Sequence, residues 1–194
     1  MGENQAKAED FDLLARFNAG SEEAFTLIVE KHAGPLINFL HRYTHNQSDS
    51  EDLAQEAFLR LYKAADGLKP DAKLSTILYK IAYHLAVDQA RRAKSRNSAA
   101  PTQALEAGEE DHAPLQVSGQ DSSPGALLET SLRNREIAAG LAELPDAQRS
   151  ALILKAYENR SYAEIAEIMG LSVSAVDSLI FRARQSLARK LPNP

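Results

Sequence analysis

Apolar residues in this 194-residue chain recur at intervals of three and four, and no segment alternates strictly. That spacing puts side chains on one face of a helix, whereas alternation would put them on one face of a strand. The sequence therefore predicts an all-α fold. Leu13, Leu14 and Phe17 share one side of a first helix that Gly20 can stop. Ser21 can cap a second, whose apolar face is Ala24, Phe25, Ile28 and Val29. Pro35 suits the first turn of a third, which carries Leu36, Phe39, Leu40 and Tyr43. Ser48 or Asp49 caps a fourth, with Leu53, Ala57, Leu61 and Ala65 at helical spacing and Gly67 just past its end. A fifth starts near Ser75 and carries Ile77, Ile81 and Leu85 at four-residue steps.

The pattern then stops. Residues 97–127 are rich in Ala, Ser, Pro, Gly and acids, contain no aromatic residue and keep no period. They read as a flexible acidic linker between an N-terminal domain, 1–96, and a C-terminal one, 128–194. The second half resumes with Leu132, Ile137, Ala138 and Leu141 on one face. Pro145 then suits the opening of a helix that buries Ala151, Leu152 and Leu154.

The stretch SYAEIAEIMGLSVSAVDSLIFRARQSL, residues 161–187, has the layout of a helix-turn-helix. Ser161 and Glu164 have the spacing of a capping box. Ile165, Ile168 and Met169 give the first helix a face, Gly170 permits a left-handed exit, and Ser172 can cap the next helix. At about 100° per residue, Val176, Ile180, Ala183, Leu187 and Leu191 gather on one side of that last helix. Ser174, Ser178, Phe181, Arg182, Gln185 and Arg189 lie opposite. Small residues near a helix start allow close approach to base edges, and arginines suit guanine edges or phosphates. Asp177 opposes such a role unless Arg182 or Arg184 neutralises it.

Charge changes this picture only through its distribution. The net charge of −5 by itself argues against a nucleic-acid partner. Yet no Lys or Arg occurs from Asn97 to Leu132, while Arg91, Arg92, Lys94 and Arg96 precede that acidic stretch and Arg182, Arg184, Arg189 and Lys190 follow it. Two basic zones thus flank an acidic middle. With no cysteine there is no disulfide framework, thiolate metal site or cysteine nucleophile. His41 and His45 are four apart, but no carboxylate completes a metal site on their face. A phosphate-cradling glycine loop and a nucleophile elbow are both missing. Neither an enzyme nor a cofactor is expected. The polar start MGENQAKAEDF is no secretory signal, and no apolar run approaches the roughly 20 residues of a membrane span. A cytoplasmic protein without membrane contact is the expectation.

Five segments together carry a resemblance to a known family. LAELPDAQRSALIL, SYAEIAEIMGLSVSAV and SLIFRARQSL resemble region 4 of bacterial RNA polymerase sigma factors of the extracytoplasmic-function (ECF) group. DSEDLAQEAFLRLY at 49–62 and LYKIAYHLAVDQARR at 78–92 resemble region 2. The resemblance implies a protein that binds core RNA polymerase, recognises the −35 and −10 promoter elements and helps to open the duplex.

It also implies residue roles. Asp52, Gln55, Glu56 and Leu59 share a helix side that would face the clamp helices of the β′ subunit, while the C-terminal half would meet the β flap. Ser174, Ala175, Ser178, Phe181, Arg182, Arg184 and Gln185 would read the −35 element. Lys73, Tyr79, Lys80, Tyr83, His84, Arg91 and Arg92 would serve the −10 element, with the loop DGLKPDAKLST, including Lys69, receiving a flipped base. Asp88 reads as structural, paired with Arg92 four residues on. The acidic linker would run through polymerase channels, imitating a nucleic-acid backbone, and an anti-sigma factor would be a further partner. Three positions depart from the family pattern: Ile77 stands for the usual Trp, His84 for Asn, and Asp177 for a basic residue. Two other functions compete: a sigma-like decoy that sequesters a regulator without binding promoters, and a self-contained dimeric regulator.

Overall fold

A computed structural model describes residues 2–68, 72–99 and 135–190, and these are helical apart from turns and short connections. Residues 100–127 of the expected linker, Lys69, Leu132 and Leu191 lie outside the described residues, while residues 97–99, also expected in the linker, are helical. The helices are α1 (Gly2–Asn18), α2 (Glu22–Thr44), α3 (Gln47–Ala64), α4 (Leu74–Ala99), α5 (residues 135–142), α6 (Asp146–Ala156), α7 (Tyr162–Met169) and α8 (Val173–Lys190). Among the described residues, no helix is long and apolar enough to cross a membrane.

In the N-terminal half, α2 packs against α1, α3 and α4. Its inner face is Ala24, Ile28, Leu36, Phe39, Leu40 and Tyr43. This stripe overturns the break expected at Pro35, which lies inside one continuous helix. Proline forfeits its own amide bond, but the buried residues on either side follow one helical phase, and their packing holds the helix together. Ser21 does precede α2, yet its hydroxyl donates to Glu23 Oε2 at 3.0 Å and makes no cap. The cap of α3 is also misplaced in the sequence reading. It is Asn46, whose Oδ1 accepts the Asp49 amide at 2.9 Å, not Ser48 or Asp49. A short 3-10 turn, Ala65–Gly67, follows α3. On α4 the buried stripe is Leu74, Leu78, Ala82, Leu85 and Ala86, whereas Ile77 and Ile81 are only half-buried beside it. Asp10 of α1, itself buried, ties the first two helices together through Lys31 at 2.7 Å and His32 at 3.2 Å.

In the C-terminal half, α8 packs on α6 and α7. Ala151, Leu152 and Leu154 of α6 are buried as the sequence predicts, and Pro145 sits immediately before the helix. The capping box at α7 is complete, with Ser161 Oγ accepting the Glu164 amide and Glu164 accepting the Ser161 amide at 2.9 Å. Gly170 takes the left-handed conformation, φ 67°. Ser172 then caps α8 by accepting the Ala175 amide at 3.2 Å.

The halves touch each other. Helix α7 packs on α4, and α6 packs on α2. This contact joins two apolar cores into one.

Candidate nucleic-acid interface

Helix α8 is divided as its sequence requires. Val176, Ile180 and Ala183 are buried, and Leu187 packs against the core. Ser174, Ser178, Phe181, Arg182, Arg184, Gln185 and Arg189 are exposed, and Ala175 is half-buried. Phe181 is 65% exposed, which is costly for a large apolar ring in water and fits a contact surface. Leu171 and Val173, at the turn into α8, are exposed as well. The condition set for Asp177 is not met: it is exposed, and no ion pair joins it to Arg182 or Arg184 among the described residues.

Helix α3 presents the second face. Leu53, Ala54, Ala57, Phe58 and Leu61 are buried, while Asp52 and Gln55 are exposed and Glu56 is half-buried. Leu59 stands among them at 46% exposure. Glu56 holds Arg60 at 2.8 Å, one turn on. An apolar residue inside this polar rim has the make-up of a small protein-binding hot spot.

Helix α4, with Lys73 immediately before it, carries the residues assigned to the −10 element, and their environments differ. Lys80, His84, Arg91 and Arg92 are exposed. Asp88 is exposed beside Arg92 in the cleft between α3 and α4, so the structural ion pair expected between them does not form. Water solvates both groups, and an exposed pair gains little by closing. Tyr83 is buried and its ring lies 5.2 Å from that of His84. Tyr79 is 3% exposed, with its ring 5.3 Å from Phe39 and its hydroxyl donating to Glu158 Oε2 at 2.5 Å. Burial, and then the Glu158 carboxylate, push the Tyr79 hydroxyl well above its usual pKa, so it stays a donor. Lys73 pairs with Glu164 at 2.9 Å.

Glu158 and Glu164 belong to the other half of the chain, and they are part of a larger contact. Arg160 stacks on the Tyr79 ring at 4.5 Å and donates to Ser75 Oγ at 3.0 Å. Arg42 lies 4.4 Å from the Tyr157 ring centre and 3.8 Å from Glu158. Arg149 donates to the Tyr43 carbonyl at 2.8 Å and lies over the Tyr43 ring. Lys94 pairs with Asp146 at 2.7 Å. Sequence reasoning missed the contact and did not single out Arg42, Asp146, Arg149, Tyr157, Glu158 or Arg160. The one local signal was Asn159, a residue tolerant of the left-handed conformation it adopts here, φ 48°, between Glu158 and Arg160.

The architecture is that of a two-part helical protein whose second half carries a helix-turn-helix. The comparisons narrow the class. Residues 28–96 match the model of Sigma-70 region 2, and residues 134–187 that of Sigma-70, region 4. The chain is 31% identical to RNA polymerase sigma-H factor of Pseudomonas aeruginosa over 94% of both chains. It is 31% identical to ECF RNA polymerase sigma factor SigW of Bacillus subtilis, over 89% of this chain and 91% of that one. With ECF RNA polymerase sigma-E factor of Escherichia coli the identity is 30% over 92% of both. The chain belongs to the ECF group of RNA polymerase sigma factors. Its fold is shared with a chain in the complex of CnrH with the cytosolic domain of CnrY, at TM-score 0.67 and 23% identity, over 93% of this chain and 96% of that one. It is shared too with a chain in the complex of the sigma factor RpoE with the anti-sigma factor NepR from Bartonella quintana, at TM-score 0.65 and 19% identity, covering 85% and 94%.

Proposed function

We propose that this sigma factor docks on the β′ clamp helices of core RNA polymerase through Asp52, Gln55, Glu56 and Leu59. It reads the −35 element with the exposed face of α8, from Ser174 to Gln185, and serves the −10 element with α4. The boundaries 1–96, 97–127 and 128–194 divide it into a polymerase and −10 domain, a linker, and a −35 domain that also meets the β flap. It acts in the cytoplasm, where its polymerase is, and an anti-sigma factor of the kind named for the NepR complex restrains it. The chain itself makes and breaks no bonds.

The observation that carries this reading is the pairing of two exposed, chemically different faces with two family matches in matching order. One face is an acidic rim around Leu59, and the other is a hydroxyl-and-arginine surface around Phe181. Transcription in vitro with core polymerase on a promoter library tests it. Specific transcripts that require both core and this chain are the expected outcome. Electrostatic attraction of the free chain to DNA is weak at a net charge of −5, so negligible promoter affinity without core is expected too. Failure to bind core at all would move the chain to the decoy class. Tight sequence-specific binding of DNA by the chain alone would move it to the self-contained regulators.

A further inference from the structure

The exposed face of α8 carries a carboxylate among groups suited to DNA. Asp177 stands between Ser174 and Phe181 along that face, and a helix that reads DNA is surrounded by phosphates. Side chains meet on a helix when they are three or four residues apart. For Asp177 those positions are Val173, Ser174, Ile180 and Phe181, none of them a cation. Arg182 and Arg184 follow further on, about 7.5 and 10.5 Å along the axis. Among the described residues, no hydrogen bond or ion pair holds the carboxylate. Its charge therefore reaches any bound DNA without a partner from the protein.

The neighbouring hydroxyl has the same polarity. Ser178 Oγ donates to the Ser174 carbonyl at 3.0 Å, so its hydrogen is used within the helix and its lone pairs face outward. The Asp177 carboxylate accepts only. Phe181 stands one turn further, and Arg182, Arg184 and Arg189 come after it. The entering end of α8 thus presents acceptors, then an apolar ring, then cations. In a helix-turn-helix, the N-terminal residues of the second helix contact base edges. Each base shows its own pattern in the major groove. Cytosine shows an amino donor, and adenine a donor beside the N7 acceptor. Guanine shows two acceptors, and thymine an acceptor and a methyl group. A carboxylate is attracted by cytosine, divided between attraction and repulsion on adenine, and repelled by guanine and thymine.

We propose that Asp177 is a base-selecting residue of this sigma factor. Its carboxylate accepts from the N4 amino group of a cytosine in the −35 element and rejects promoters that put guanine or thymine in that place. Arg182 and Arg184 attract any duplex, because phosphates are the same in every sequence. Asp177 subtracts from that attraction wherever it meets no amino donor, and specificity is the difference between the two cases. The inference rests on the reading of α8 as the −35-reading helix, and the experiment separates its failure from failure of that reading.

Holoenzyme assembled from core polymerase and the full-length chain is given a promoter library randomised through the −35 element, and the transcripts are sequenced. Wild type should favour cytosine over guanine about tenfold at one −35 position. Asp177→Ala should level the bases at that position alone, losing output on cytosine promoters and gaining it on guanine and thymine promoters. Asp177→Asn should shift the same position towards adenine, whose N6 and N7 an amide takes together. Asp177 is exposed, so both variants should melt with wild type. An equal rise on all promoters with Asp177→Ala would show a general repulsive charge and overturn the assignment. An unchanged base profile in both variants overturns it as well. Arg182→Ala in the same library keeps the two readings apart. If it alters a −35 position while the Asp177 variants alter none, α8 reads the element without Asp177 and this proposal fails alone. If wild type shows no −35 preference at all, the reading of α8 fails and the proposal falls with it.

Discussion

At the scale of single residues, Glu164 has the largest number of duties. It accepts from the Ser161 amide and hydroxyl, caps α7, and reaches across to Lys73. Burial alone would raise its pKa. The Ser161 amide and hydroxyl and the Lys73 ammonium outweigh that and hold it at about 2, below the ordinary 4.5. A carboxylate whose folded-state pKa is depressed contributes stability that is full above the unfolded value and lost as pH falls through the folded one. Glu164→Gln keeps the shape of the cap but loses the charge, and should cost about 1 kcal/mol at neutral pH. Thermal melts of the two proteins should converge as pH drops from about 5 towards 2. A gap that stays constant over that range would show that the charge contributes nothing. Arg182 is the contrasting residue. It is exposed and opposite the core stripe, so Arg182→Ala should leave the melt unchanged. Holoenzyme carrying it should lose about 1–3 kcal/mol of −35 binding and relax its preference at one base pair, read by competition among promoter variants.

At the scale of elements, the turn between α7 and α8 shows conformation outweighing space. A Cβ on Gly170 would meet no atom within 4 Å, yet the residue sits at φ 67°. Gly170→Ala should therefore destabilise the chain by about 1–2 kcal/mol through backbone strain alone, while Gly170→Asn should cost less. Chemical denaturation of the three proteins checks the order. This turn was legible in the sequence because its signals are local: a capping box, a glycine and a serine cap within a dozen residues. The stripe of α8 was legible for the same reason. Pro35 misled because its signal is also local, but the α2 stripe that overrides it runs from Ala24 to Tyr43. The stripe of α4 was legible only in part: Leu85 is buried and Ile77 and Ile81 border the core, but the fully buried row Leu74, Leu78 and Ala82 keeps the same four-residue step beside them. Only the neighbouring helices decide which of the two adjacent rows is buried more deeply. The contact of Arg160 with Tyr79 joins residues 81 apart in sequence, through side chains that no periodicity relates.

At the scale of the whole molecule, the acidic face of α3 stays open to solvent while the two halves pack against each other. The chain presents Asp52, Gln55 and Leu59 to solvent, so docking through them needs no rearrangement of α3. Opposite charge on a partner would steer that encounter, and Leu59 would anchor it. None of these side chains holds the fold. Leu59 is nearly half exposed, and the Glu56–Arg60 pair is a surface pair of one turn, worth about 0.3–0.5 kcal/mol. Glu56→Lys combined with Leu59→Ala should therefore abolish core binding while the helical signal and melting temperature barely move. Titration of labelled protein with core polymerase measures the first, and circular dichroism the second. If the Glu56–Leu59 variant assembles holoenzyme with wild-type affinity, the docking surface lies elsewhere.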